Sequence, residues 1–191
     1  MTAVAFRLDP FIELTDEVFL KLCQANPDIK FESTAQGELI VVPPTGGETG
    51  NRNLRLTQQL GIWSDADGTG LAFDSSTLFI LPNKARRSPD AAWILLERWN
   101  QLTPEERETF PPICPDFVVE LRSPSDSLRA VQDKMQEYMD NDARLGWLIN
   151  PKAQQVEIYR QGQEKELLQA PASLSGEQVL PGFVLDLKAI L

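Results

Sequence analysis

The sequence predicts an α/β (α+β) protein with a mixed central β-sheet flanked by helices, on three observations. Apolar runs of strand length cluster in the middle and later parts of the chain: DAAWILL, PDFVVELRS, LGWLINP and QVEIYR. Segments with apolar residues at helical spacing lie before and between them. The 191 residues, 42% hydrophobic and 24% charged, suffice to bury a core without staples, so one domain over 1–191 is the expectation. No repeat, low-complexity tract or long linker interrupts that pattern.

The elements follow in chain order. Thr15 reads as the N-cap of a helix near 16–25, with Phe19, Leu20 and Cys23 on its apolar side. Residues 29–34 and 37–42 read as strands joined at Ala35-Gln36-Gly37, and Pro43-Pro44 ends the second. The Gly-rich TGGETGN runs into a helix near 49–63, where Leu56, Leu60 and Trp63 form the apolar face. It lacks the Gly-Lys-Ser/Thr ending of a nucleotide-phosphate loop and reads as a turn before that helix. Residues 71–81 suggest two short strands in one hairpin, followed by the polar loop PNKARRS (82–88) and a strand over 90–96. Thr103 and Glu106 are spaced as a capping box for a short helix over 103–109. PDFVVELRS (115–123) is the clearest strand, SPSDS turns into a helix near 127–141, and 145–151 pairs with 155–160 as a hairpin. LPGFVLDLKAIL closes with a short strand or turn and a helical turn.

Composition removes several chemistries. With no histidine, His-based triads, histidine-dependent nucleases and most zinc enzymes are excluded, leaving carboxylates, Lys, Tyr or metal-bound water for acid–base work. Cys23 and Cys114 lie far apart in apolar contexts, without zinc spacing; buried free thiols are expected over a disulfide. No apolar run approaches the roughly 18 residues of a membrane span, and the N-terminus has no signal-peptide core, so a cytoplasmic protein with no membrane partner is expected. The formal charge of 18 − 28 = −10 opposes autonomous nucleic-acid binding, although a bound cation reverses the local sign.

The chemistry concentrates on PDFVVELRS. Alternation places Asp116, Val118, Glu120 and Arg122 on one face and Phe117, Val119 and Leu121 on the other. Charges on a central strand need a partner: a Glu120–Arg122 pair, an edge facing water, or a metal. Asp90, opening a second apolar strand, adds a hard oxygen beside Glu120 suited to Mg2+ or Mn2+. On the following helix Val131, Lys134, Met135 and Tyr138 share a face with Leu128. Lys134 either snorkels along the sheet or enters the acidic site with Tyr138 beside it.

Pro89-Asp90 and, thirty residues on, Glu120-Leu121-Arg122 resemble the PD-(D/E)XK nuclease signature, with Arg at its Lys position. The surrounding stretches ELIVVPPTGGETGNRN, LAFDSSTLFILPN, RRSPDAAWI, FPPICPDFVVELRSPSD and KMQEYMDNDARLGWLINP are similar to the bacterial restriction-endonuclease-like family of that superfamily, over roughly 6–187. The resemblance implies a restriction-endonuclease-like core and a Mg2+- or Mn2+-dependent endonuclease acting on DNA. Asp90, Glu120 and the Leu121 carbonyl are then metal ligands, with Glu48 a further acidic residue of the site. Arg122 stabilises charge, since it stays protonated and cannot shuttle a proton, and Lys134 positions water or carboxylates. Lys84, Arg86 and Arg87 in the 82–88 loop are the best basic cluster for recognition. A homodimer is the expectation for an enzyme that must break two strands. The alternative is a catalytically weakened nuclease-fold binding protein, which the Lys-to-Arg change and the acidic charge favour.

Overall fold

The computed structural model describes residues 3–191; Met1 and Thr2, where the N-terminal reading begins, lie outside the described residues. The chain runs through β1 (Val4–Arg7), α1 (Asp16–Ala25), β2 (Lys30–Ser33), β3 (Glu38–Val42), α2 (Gly47–Asp67), β4 (Gly70–Asp74), β5 (Phe79–Ile80), β6 (Arg86–Arg87) and β7 (Ala91–Leu95). It continues through α3 (Leu96–Trp99), α4 (Pro104–Glu108), β8 (Phe117–Leu121), α5 (Leu128–Asp140), β9 (Leu145–Asn150), β10 (Gln155–Arg160), β11 (Glu166–Gln169), β12 (Ser173–Ser175) and β13 (Val184–Asp186). A six-stranded sheet has the order β11-β10-β9-β8-β7-β4, a five-stranded sheet β1-β3-β2-β6-β5, and β12 pairs with β13. The central pairing of β8 with β9 is parallel, with α5 between them in the chain, whereas β7 and β10 flank them antiparallel.

The strand alternation read in PDFVVELRS holds. Phe117, Val119 and Leu121 enter one apolar cluster with Leu56 and Leu60 of α2 and Phe183 and Leu185 of the C-terminal segment. Val118 enters the opposite cluster with Met135, Tyr138 and Met139 of α5 and Phe79 and Leu81. A third cluster joins Phe19 of α1 to Phe31 and Leu39 of the five-stranded sheet. Two local devices fix the α5 layer. Ser127 caps the helix by accepting the Ala130 N–H. Gly146 of β9 admits it closely: a Cβ there would lie 2.5 Å from Met135 Cε, 3.0 Å from Met139 Cε and 3.3 Å from Val118 Cγ2. Thr103 and Glu106 form the capping box of α4, and Gly37 takes φ 79° in the β2–β3 turn. Both cysteines are free.

Two expectations are corrected. Residues 71–81 are not one hairpin: β4 pairs with β7 in the six-stranded sheet, and β5 pairs with β6 in the other. The Asp74 carboxylate accepts both the Ser76 N–H at 3.0 Å and its hydroxyl at 2.6 Å, turning the chain between sheets instead of back on itself. Nor is 82–88 a solvated basic loop. Arg86 and Arg87 form β6 and are buried, leaving only Lys84 of the three basic residues exposed. Arg86 donates to Ser33 Oγ at 3.0 Å and the Leu14 carbonyl at 3.2 Å, pairs with Asp16, and stacks 4.8 Å over the Phe19 ring. These partners offset guanidinium desolvation and take Arg86 out of the recognition cluster the sequence suggested. Among the described residues no helix is long and apolar enough to cross a membrane.

Candidate active site

Asp90 stands one residue before Ala91, whose cross-strand partner is Val119, so the register sets Asp90 opposite Glu120 at the end of the β7–β8 ladder. The Asp90 N–H continues that ladder to the Val119 carbonyl at 2.9 Å. Asp90 Oδ2 accepts the Leu121 N–H at 2.7 Å, locking its carboxylate against the next turn of β8 backbone. Both acids are on the α5 side of the sheet, because Ala92 and Val118, the next residues of that parity, pack in the α5 cluster.

From α5, Lys134 and Tyr138 reach Glu120 together. Lys134 Nζ lies 2.8 Å from Glu120 Oε1, and the Tyr138 hydroxyl donates to the same oxygen at 3.0 Å. The i, i+4 spacing puts both on one helix face, as the sequence indicated. Lys134 also bonds Glu32 Oε1 at 3.0 Å and the Ser88 carbonyl at 3.3 Å. Lysine, rather than Arg122, therefore supplies the ammonium at Glu120.

Glu32 was not anticipated from sequence. It is a buried acid of β2, bound by Lys134, by Arg87 Nη1 at 3.4 Å and by the Ser88 N–H at 3.2 Å. Arg87 Nε in turn donates to Glu137 Oε2 at 2.5 Å. A Glu between Phe31 and Ser33 in a short strand is the only sequence signal, and it matches any half-exposed strand.

Electrostatics separates these acids. Burial pushes the Glu120 carboxyl up to about 7; Lys134 opposes the rise, while Asp90 and Glu32 add to it. Asp90 is also raised by burial, against the Leu121 N–H and Lys134. Glu32 is buried too, but Lys134, Arg87 and Lys30 outweigh its desolvation and hold it below the usual range. Burial disfavours the Lys134 ammonium, yet Glu120 and Glu32 overcome that and raise it, so Lys134 stays charged. Tyr138 remains a neutral phenol: burial, then Glu120 and Glu32, move it well above its ordinary value.

Two expected members do not join this group. Arg122 lies just past the end of β8, where its guanidinium donates to the Asp126 carbonyl at 3.2 and 3.0 Å and to Asn150 Oδ1 at 3.2 Å. Loop 123–127 folds back on it, so its hydrogen bonds tether that loop and no Glu120–Arg122 ion pair forms. Glu48 sits in the first turn of α2 with its side chain 90% exposed, and its ion partner is Arg52 at 4.0 Å. A carboxylate is favoured there by the helix dipole while remaining in water, and among the described residues Glu48 makes no bond to Asp90, Glu120 or Glu32.

Three comparisons bear on this arrangement. The profile of the Uma2 family, described as "Putative restriction endonuclease", matches residues 16–188. No curated protein matches. The fold is similar to a crystal structure from Anabaena variabilis ATCC 29413 described as a "putative nuclease belonging to DUF820", with a TM-score of 0.70 and 21% identity over 84% of this chain and 88% of that one. At that identity the likeness speaks for the fold, while the profile spans nearly the whole sequence. The chain belongs to the Uma2 family, the restriction-endonuclease-like family that its motifs resembled.

Proposed function

We propose that the protein is a Mg2+- or Mn2+-dependent endonuclease hydrolysing DNA phosphodiester bonds at the Asp90–Glu120 end of the sheet. The observation that carries this reading is the pair of sheltered carboxylates across β7 and β8 with the Lys134 ammonium on one of them.

The donor set fits a hard cation. Among the described residues no group of three or more His, Cys, Asp or Glu stands ready to hold a metal ion. Mg2+ commonly takes one or two carboxylates and fills its remaining positions with water and substrate oxygens. Asp90 and Glu120 supply the carboxylates, and the Leu121 carbonyl is the further ligand this reading names. Burial raises the Asp90 and Glu120 carboxyls, and a divalent ion held there would favour their ionised forms.

When bound, the metal would activate water and offset charge on the scissile phosphate. The chain's own groups have separate tasks. Lys134, kept protonated, donates hydrogen bonds and cannot serve as a base; it orients Glu120 and offsets anionic charge. Tyr138 fixes Glu120 by donating to Oε1. Glu32 holds Lys134 in place from the opposite side, with Arg87 and the Ser88 N–H holding Glu32.

Purified protein should nick supercoiled plasmid with Mg2+ or Mn2+, stop in EDTA, and lose both nicking and Mn2+ binding on Glu120→Ala. Equal nicking by wild type and Glu120→Ala would remove the reading. The −10 charge favours a second one, a nuclease-fold binding protein. It expects a Mn2+ calorimetric signal at Glu120 with no cut plasmid.

A further inference from the structure

Of the cations anticipated for substrate contact, Lys84 alone is left to solvent; the others are consumed inside the protein. Arg86 and Arg87 pair inward, Arg122 holds the 123–127 loop, and Lys134 bridges Glu32 and Glu120. Yet a chain of charge −10 needs positive charge where a phosphodiester arrives.

Lys30 has the position and the unspent charge. It shares a face of β2 with Glu32, two residues on. Its Nζ donates to the backbone carbonyl of Ser75 at 2.7 Å. Ser75 follows Asp74, the cross-strand partner of Ala91, so the register carries Ser75 toward Asp90, just as it carries Asp90 toward Glu120. Ser75, just past β4, Asp90, just before β7, and Glu120 of β8 thus lie in turn at one end of the six-stranded sheet, with the Lys30 ammonium tied to the first of them. Among the described residues no carboxylate lies within ion-pair distance of Lys30, unlike Lys134. Lys30 is half-buried, not sealed in the core.

We propose that Lys30 receives a backbone phosphate of the DNA strand at the mouth of the Asp90–Glu120 site, a positioning contact rather than part of the acid–metal machinery. This rests on the nuclease reading above. A neutral carbonyl anchors the ammonium without neutralising it, so an incoming phosphate meets an oriented donor.

The test is binding of a fluorescent DNA duplex at several salt concentrations, with Ca2+ replacing Mg2+, alongside cleavage in Mg2+. Lys30→Gln keeps a donor toward Ser75 and removes the charge; Lys30→Arg keeps both. The expected result for Lys30→Gln is weaker binding, a slope of log affinity against log salt shallower by about 0.9, a raised KM in cleavage and an unchanged Tm. Lys30→Arg should restore the slope. A wild-type slope and KM in Lys30→Gln overturn the assignment while the nuclease reading stands. So does a fall in Tm with the slope intact, which would make Lys30 a structural tether. A wild-type protein that neither binds nor cuts the duplex takes down the nuclease reading and Lys30 together.

Discussion

Two glutamates on the same side of the six-stranded sheet are built from the same parts and differ in electrostatic fate. Glu120 of β8 is met by Tyr138 and Lys134; Glu157 of β10 is met by the Tyr159 hydroxyl at 2.6 Å, Lys165 at 2.7 Å and Gln132 at 2.6 Å. At Glu157 both oxygens are bonded, and burial is outweighed by Lys165, Tyr159 and Gln132, so the carboxyl titrates below its usual range. At Glu120 burial leads: the one opposing ammonium is divided with Glu32, Asp90 faces it across the ladder, and the carboxyl rises to about 7. A Glu–Tyr–Lys set is thus no signature by itself. The acid left short of positive charge is the candidate for a cation.

The sharpest way to break the comparison is to remove each lysine. Lys134→Ala leaves Glu32 and Glu120 sheltered without their common partner and should cost about 3 kcal/mol in denaturant unfolding as well as all plasmid cleavage. Lys165→Ala should cost under about 1 kcal/mol, because Lys165 is partly exposed and Glu157 keeps two donors. Equal losses would mean that the two sites are electrostatically alike.

pH sharpens it further. Glu157 is depressed on folding, so its contribution is present above the unfolded value near 4.5 and is lost as pH falls through the lower folded one. Glu120 is raised, so in EDTA its contribution is present below the same 4.5 and is lost as pH climbs to about 7. Glu157→Gln should therefore lose stability relative to wild type at neutral pH and approach it in acid. Glu120→Gln should gain relative to wild type as pH rises from 4.5 to 7 in EDTA. Parallel stability–pH curves for the two variants would contradict the opposed shifts.

The smallest effect on cleavage among the site variants belongs to Arg122. Its bonds go to the Asp126 carbonyl and Asn150, so Arg122→Lys should cost about 1 kcal/mol through the loop and leave cleavage within a few-fold of wild type. A hundredfold loss of activity in a normally folded Arg122→Lys protein would return the guanidinium to the chemistry.

What the sequence made legible was local. Period-two alternation placed Glu120 on the face opposite Phe117, Val119 and Leu121, and i, i+4 spacing placed Lys134 and Tyr138 together on α5. The mixed sheet and its flanking helices followed from the same periodicities. What stayed hidden depends on partners far along the chain. Glu32 becomes a site residue only through Arg87, 55 residues away, and Lys134, 102 away. Arg86 and Arg87 look solvated in PNKARRSP because nothing nearby in sequence reveals the acids that receive them. The split of 71–81 between sheets turns on a single Asp74–Ser76 bend. Glu48 was credited to the site for its place at the start of a helix, where a carboxylate does equally well in water.

The close seating of α5 at Gly146 decides what lies beneath the helix that bears Lys134 and Tyr138. At Gly146 that helix meets β9 through the far ends of Met135 and Met139. Thioether chains repack at little cost, filling a changing gap without opening a void. The floor beneath the helix at that point is therefore a cushion, where a small shift of α5 is taken up by two methionine rotamers.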